Sequence, residues 1–113
     1  MELPVQITIR DVPHSTNLES QIYEKAQKLN LFYDKIMACR VVVKVPQKNQ
    51  HQGKLYNIRI DLTVPGEELA INHNKDEDIY IAIREAFDDA KRQLESFVER
   101  QHAKGRNHHN HKL

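Results

Sequence analysis

Tryptophan is absent from this 113-residue chain, and cysteine, glycine and proline number only one, three and four. The single cysteine, Cys39, excludes an internal disulfide and fits a reducing compartment. Gly53, Gly66 and Gly105 lie too far apart to build a glycine-rich phosphate loop, which removes the nucleotide-binding folds that depend on one. No uninterrupted apolar run approaches the roughly 18 residues of a membrane span. The opening MELPVQIT also lacks the basic segment followed by an apolar block that marks a secretory leader. A cytoplasmic protein with no membrane partner is therefore expected. Neither sign of charge is in excess, since 17 Lys and Arg stand against 16 Asp and Glu, so net charge alone selects no partner. A chain of this length is one domain, able to bury about two thirds of its unfolded surface in a core that needs no metal or disulfide.

What the chain does have is one long helical pattern, Asp76 to Gln101. Ile79, Ile83, Ala86, Phe87, Ala90, Leu94, Phe97 and Val98 recur at spacings of three and four, a single apolar stripe that must cover another surface. The acidic start Asp76, Glu77, Asp78 suits the positive end of the helix dipole, and Arg100 and Lys104 suit the negative end.

Earlier segments read as sheet with one shorter helix. Pro4 to Arg10 alternates, with Val5, Ile7 and Ile9 on one face, as a half-buried strand does. Thr16 and Glu19 form a capping box that opens a helix with Leu18, Ile22, Ala26 and Leu29 as its core face and Asn30 as its stop. Lys35 to Val45 reads as the central strand, with Met37, Cys39, Val41, Val43 and Val45 inward. A third strand runs from Leu55 to Thr63, with Tyr56, Ile58, Ile60 and Leu62 inward. The polar stretch Gln47 to Lys54 is a loop. Pro65-Gly66 is a turn that sends the chain back as Glu68 to Asn72. The order βαβββα, with short links between the last three strands, implies antiparallel pairing there and a parallel first pair. Each helix has one apolar stripe, so both belong on the same sheet face, giving a two-layer α+β sandwich of residues 1–101. The polar stretch 102–113 is expected to be a flexible, His-rich basic tail.

No catalytic constellation emerges, and a non-enzyme without small-molecule substrate or cofactor is the expectation. Cys39 sits on the apolar face of a strand, where a core role outweighs a nucleophilic one. His14, His51 and His73 share no spacing, and His108, His109 and His111 lie in the tail, outside any preorganised ligand set, so no metal site is expected. Asp88 and Asp89 point about 100° apart on a helix and do not act as an acid and base pair.

Charge is unevenly distributed. From Lys25 to Arg59, eight basic residues oppose Asp34 alone. From Asp76 to Arg100, eight acids oppose four bases. A basic first helix and basic middle strands favour a polyanionic partner. Lys25, Lys28, Lys35, Lys91 and Arg92 converge if the two helices lie side by side. The alternative is that they are solubility charges paired locally, as Lys91 with Glu95 or Arg84 with Asp88.

Three segments carry a family likeness: Lys25-Ala-Gln-Lys28-Leu29-x-x-Phe32-Tyr33-Asp34-Lys35-Ile36, Val41-Val42-Val43-Lys44-Val45, and Asp78-x-Tyr80-x-Ala82-Ile83 with Arg92-Gln93-Leu94. Together, over about residues 3 to 98, they resemble the ribosome hibernation-promoting factor and ribosome-associated inhibitor (sigma-54 modulation protein) family, in its short form. The resemblance implies two roughly parallel helices on a four-stranded mixed sheet. It also implies a bacterial factor, monomeric off the ribosome, that binds the small ribosomal subunit and its 16S-type rRNA near the decoding region. Such a factor silences translation in stress or stationary phase. Lys25, Lys28, Lys35 and Arg92 match basic positions, the helical ones directed at ribosomal RNA. Tyr80 matches a tyrosine at the core edge or facing RNA. Asp89 departs from the lysine usual there, and its position three residues before Arg92 implies an ion pair with it. An RNA- or protein-binding module of the same fold with a non-ribosomal partner is the alternative.

Overall fold

The computed structural model describes residues 2–10, 15–44, 55–74 and 78–110, with side chains to residue 104. The elements are β1 (Val5–Arg10), α1 (Thr16–Phe32), β2 (Ala38–Lys44), β3 (Asn57–Val64), β4 (Glu67–His73) and α2 (Ile79–Asn110). The four strands form one sheet in the order β1-β2-β3-β4. β1 pairs parallel to β2, because a helix connects them, and the remaining pairs are antiparallel. This is the expected βαβββα sandwich.

Both helices lie on one face of the sheet, and a single core fills the space between the layers. Leu18, Ile22, Ala26 and Leu29 are the buried residues of α1, as the periodicity implied. They meet Cys39, Val41 and Val43 of β2, Ile58, Ile60, Leu62 and Val64 of β3, and Leu69 and Ile71 of β4. From α2 the core takes Ala82, Ile83, Ala86, Phe87, Ala90, Leu94 and Phe97. Cys39 is buried, and burial, followed by the charge of Asp61, pushes its thiol pKa up to about 12, so it behaves as a small apolar residue.

Several boundaries shift from the sequence reading for local reasons. The N-cap of α1 is Ser15, not Thr16: its extended backbone lets Oγ accept from Leu18 N at 3.3 Å, one residue ahead of the presumed capping box. Asn30 does not stop the helix, which runs to Phe32, with Tyr33 N donating to Leu29 O at 2.9 Å. Met37 points outward, 60% exposed, and Ile36 is buried instead. The turn at Asp34 and Lys35 resets the alternation, and β2 begins only at Ala38. Helix α2 starts at Ile79, with the Asp78 carboxylate accepting from Tyr80 N (2.9 Å) and Ile81 N (3.2 Å) as its cap. It continues beyond Gln101 to Asn110. The expected boundary at residue 101 marks the end of the apolar stripe rather than of the helix, because helical backbone hydrogen bonds need no buried face to continue. The loop Gln47 to Lys54, His14 and His51 lie outside the described residues.

Gly66 has φ +87° in the turn between β3 and β4, and a Cβ built there would meet nothing within 4 Å. The cost of a side chain is thus backbone strain alone. Gly66→Val is expected to lower stability by about 1 kcal/mol or more in a thermal melt, since a β-branched residue resists positive φ. An unchanged melting temperature would contradict the left-handed turn.

Candidate functional site

The two helices run side by side and in the same direction. At their N-terminal ends Asn17 Nδ2 donates to Tyr80 Oη at 3.4 Å. Where α1 ends, the ring of its cap residue Tyr33 meets that of Phe97, in the second half of α2, edge to face, with centroids 5.8 Å apart. Between them runs an open groove of about 270 Å³. Lys25, Lys28 and Phe32 reach it from α1 at i, i+3 and i+7, and Arg84, Asp88 and Lys91 reach it from α2 at i, i+4 and i+7, while Leu29 and Phe87 form its floor. Spacings near seven residues bring each set onto one helical face, and docking two such faces concentrates four cations around one carboxylate.

Phe32 supplies an aromatic surface within this cationic groove. It is 43% exposed, with Lys91 Nζ 5.5 Å from the ring centroid. The arrangement offers point charges for phosphate and an exposed ring edge for a base, with the long lysine and arginine stems lining apolar walls.

Of the five residues singled out from sequence, Lys25, Lys28 and Lys91 share the groove. Lys35 lies in the exposed connection between α1 and β2. Arg92 points to the other flank of α2, where it pairs with Asp89 as the i, i+3 spacing implied. That flank faces β4: Gln93 Nε2 donates to Ala70 O at 3.3 Å, and Arg100 lies 3.6 Å from Glu67. Four-residue spacing makes Arg84 a local partner for Asp88, yet Arg84 lines the groove, and its seven-residue spacing to Lys91 is the signal in the sequence that places it there.

Asp89 also has a second partner. His73, only 5% exposed at the end of β4, places Nδ1 3.4 Å from the Asp89 carboxylate. The strand alternation Leu69, Ile71, His73 carried this inward placement in the sequence. Asp89 therefore ties α2 to the sheet edge as well as neutralising Arg92.

Among the described residues no group of three or more His, Cys, Asp or Glu side chains converges to hold a metal ion. No described helix is long and apolar enough to cross a membrane.

A two-layer βαβββα domain with a cationic groove along its helical side is the class that this geometry defines. Residues 5–102 match the model of the family described as sigma 54 modulation protein / S30EA ribosomal protein, and the chain belongs to that family. This is the family that the residue motifs resembled. Among solved structures the fold is similar to a ribosomal subunit interface protein from Coxiella burnetii (TM-score 0.73, 15% identity, covering 86% of this chain and 99% of that one). It is also similar to the N-terminal domain of Protein Y from Thermus thermophilus (TM-score 0.68, 21% identity, covering 86% and 99%). Comparison with curated protein sequences gives no match.

Proposed function

We propose that this protein is a cytoplasmic, non-enzymatic hibernation factor that occupies the small ribosomal subunit near the decoding region and so silences translation in stress or stationary phase. Family membership supports the ribosomal assignment. The observation that carries the mode of binding is the convergence of Lys25, Lys28, Arg84 and Lys91 around an exposed aromatic ring in the interhelical groove. Four cations against Asp88 make a local excess of positive charge, which ribosomal RNA would complement. A-form RNA hides its base edges in a deep major groove, so recognition by shape, phosphate and unpaired bases suits a surface of this kind. Lys35, exposed in the α1–β2 connection, and Arg92, on the β4 flank of α2 and paired with Asp89, would be secondary contacts outside the groove. Inhibition would follow from occupancy of the subunit, with no bond made or broken.

The reading is tested by sedimentation. In a sucrose gradient of stationary-phase lysate the protein is expected with small subunits or whole ribosomes, and to leave them as potassium chloride rises. Each phosphate neutralised contributes about 0.7 to 0.9 to the slope of log affinity against log salt. A protein that stays at the top of the gradient contradicts ribosome association. Salt-independent cosedimentation would move the contact from RNA to a ribosomal protein.

A further inference from the structure

The interhelical groove leaves the basic middle strands unused. The side chains that β1, β2 and β3 turn away from the helices include four cations, Arg10, Arg40, Lys44 and Arg59, and the pairing register fixes their arrangement. Towards the β3–β4 turn the charges are compensated. Arg40 lies 3.2 Å from Glu68 and 4.0 Å from Asp61, and Thr63 Oγ1 donates to Glu68 at 3.1 Å. The opposite half is different. Arg10 and Lys44 are direct cross-strand partners, and Arg59, which pairs with Asp61 at 3.3 Å, sits diagonally from Lys44 beside Val42.

Like charges placed opposite each other on neighbouring strands oppose folding. Strands lie only about 4.8 Å apart, and among the described residues no carboxylate lies in ion-pair contact with Arg10 or Lys44. Between them and Arg59 the face is flat, because Thr8 and Val42 are short and register-paired. A flat surface whose rim carries two cations with no carboxylate in contact among the described residues admits a sugar-phosphate backbone at close range.

We infer that the open face of the sheet is a second RNA-backbone surface, with Arg10 and Lys44 neutralising phosphates on the side of the domain opposite the helices. This rests on the ribosomal reading and adds to it: the domain sits between two RNA segments, one against each layer, instead of lying on one. The juxtaposed cations are then a feature that opposes folding of the free protein and is relieved in the complex.

The test uses the full chain with Arg10→Gln and Lys44→Gln together, with Lys44→Gln alone as a milder variant. Affinity for purified small ribosomal subunits is measured across a potassium chloride series. The log-log salt slope of the double variant is expected to fall by about 1.4 to 1.8, two phosphate contacts' worth, and that of the single variant by about half as much. In the absence of ribosomes both variants are expected to melt at or above the parent, because a like-charge pair is removed. An unchanged slope overturns the second surface, as does weaker binding with no change in slope. Lys25→Glu with Lys28→Glu separates the two readings. If that pair releases the subunit while Arg10 and Lys44 are silent, the groove stands without the sheet face. If neither pair alters binding, both fail.

Discussion

Phe97→Ala is expected to cost about 3 to 5 kcal/mol. Phe97 is fully buried, the bulkiest such side chain in the core. Its ring meets Tyr33 at an interplanar angle of 77°, and the Arg100 guanidinium lies 5.9 Å from its centroid. It thus pins the C-terminal part of α2 to the residue that caps α1, and truncation leaves a cavity that neither helix can fill without moving. A domain of this size is stable by only about 5 to 15 kcal/mol, so the melting temperature should drop by more than about 10 °C. Phe32→Ala is the control. Phe32 is nearly half exposed, and its removal should leave the melt close to the parent while weakening any contact to an unpaired base. Equal melting of Phe97→Ala and the parent would mean that α2 is not packed into the core at Phe97.

The second large effect concerns binding. Lys25→Glu with Lys28→Glu converts the groove from four cations around Asp88 to two cations among three carboxylates. Each lost charge-assisted contact is worth about 1.5 to 3 kcal/mol, so the pair should weaken small-subunit binding by about a hundredfold or more and lower the salt slope by roughly two. The fold should survive, because Lys28 is exposed and Lys25 half-buried at the groove edge, while Leu18, Ile22, Ala26 and Leu29 hold α1 in place. Circular dichroism that matches the parent, together with undiminished binding, would show that the groove does not face RNA.

A double charge change in α1 is a cleaner probe than one at Asp89. The sequence presents Asp89 as an exposed carboxylate paired with Arg92, a contact worth only about 0.2 to 0.5 kcal/mol. Its contact with His73 changes this, since a substitution there also strips a buried imidazole of its carboxylate partner and confounds binding with stability.

The order of elements, the class of fold and the inward face of α1 were legible in the sequence because they depend on period. Apolar residues at three and four, or at every second position, leave one way to bury them. The β3–β4 turn was legible for a related reason, as Gly66 supplies a positive φ that few other residues adopt. Termini were less so: Ser15 and Asp78 became caps through one and two local side-chain hydrogen bonds, for which neighbouring residues offer alternatives. The site was legible only in part. Lys25 and Lys28 share a face by spacing alone, but which face of α2 meets them depends on how the helices dock. That docking turned Arg84 and Lys91 into the groove and Arg92 towards β4. In the same way, strand register set Arg10 beside Lys44, and the packing of α2 over β4 set Asp89 beside His73. Local periodicity fixes which residues are buried along one element. Which exposed charges become neighbours across two elements is set by the azimuth and register of packing, a property of the assembled core that no single segment encodes.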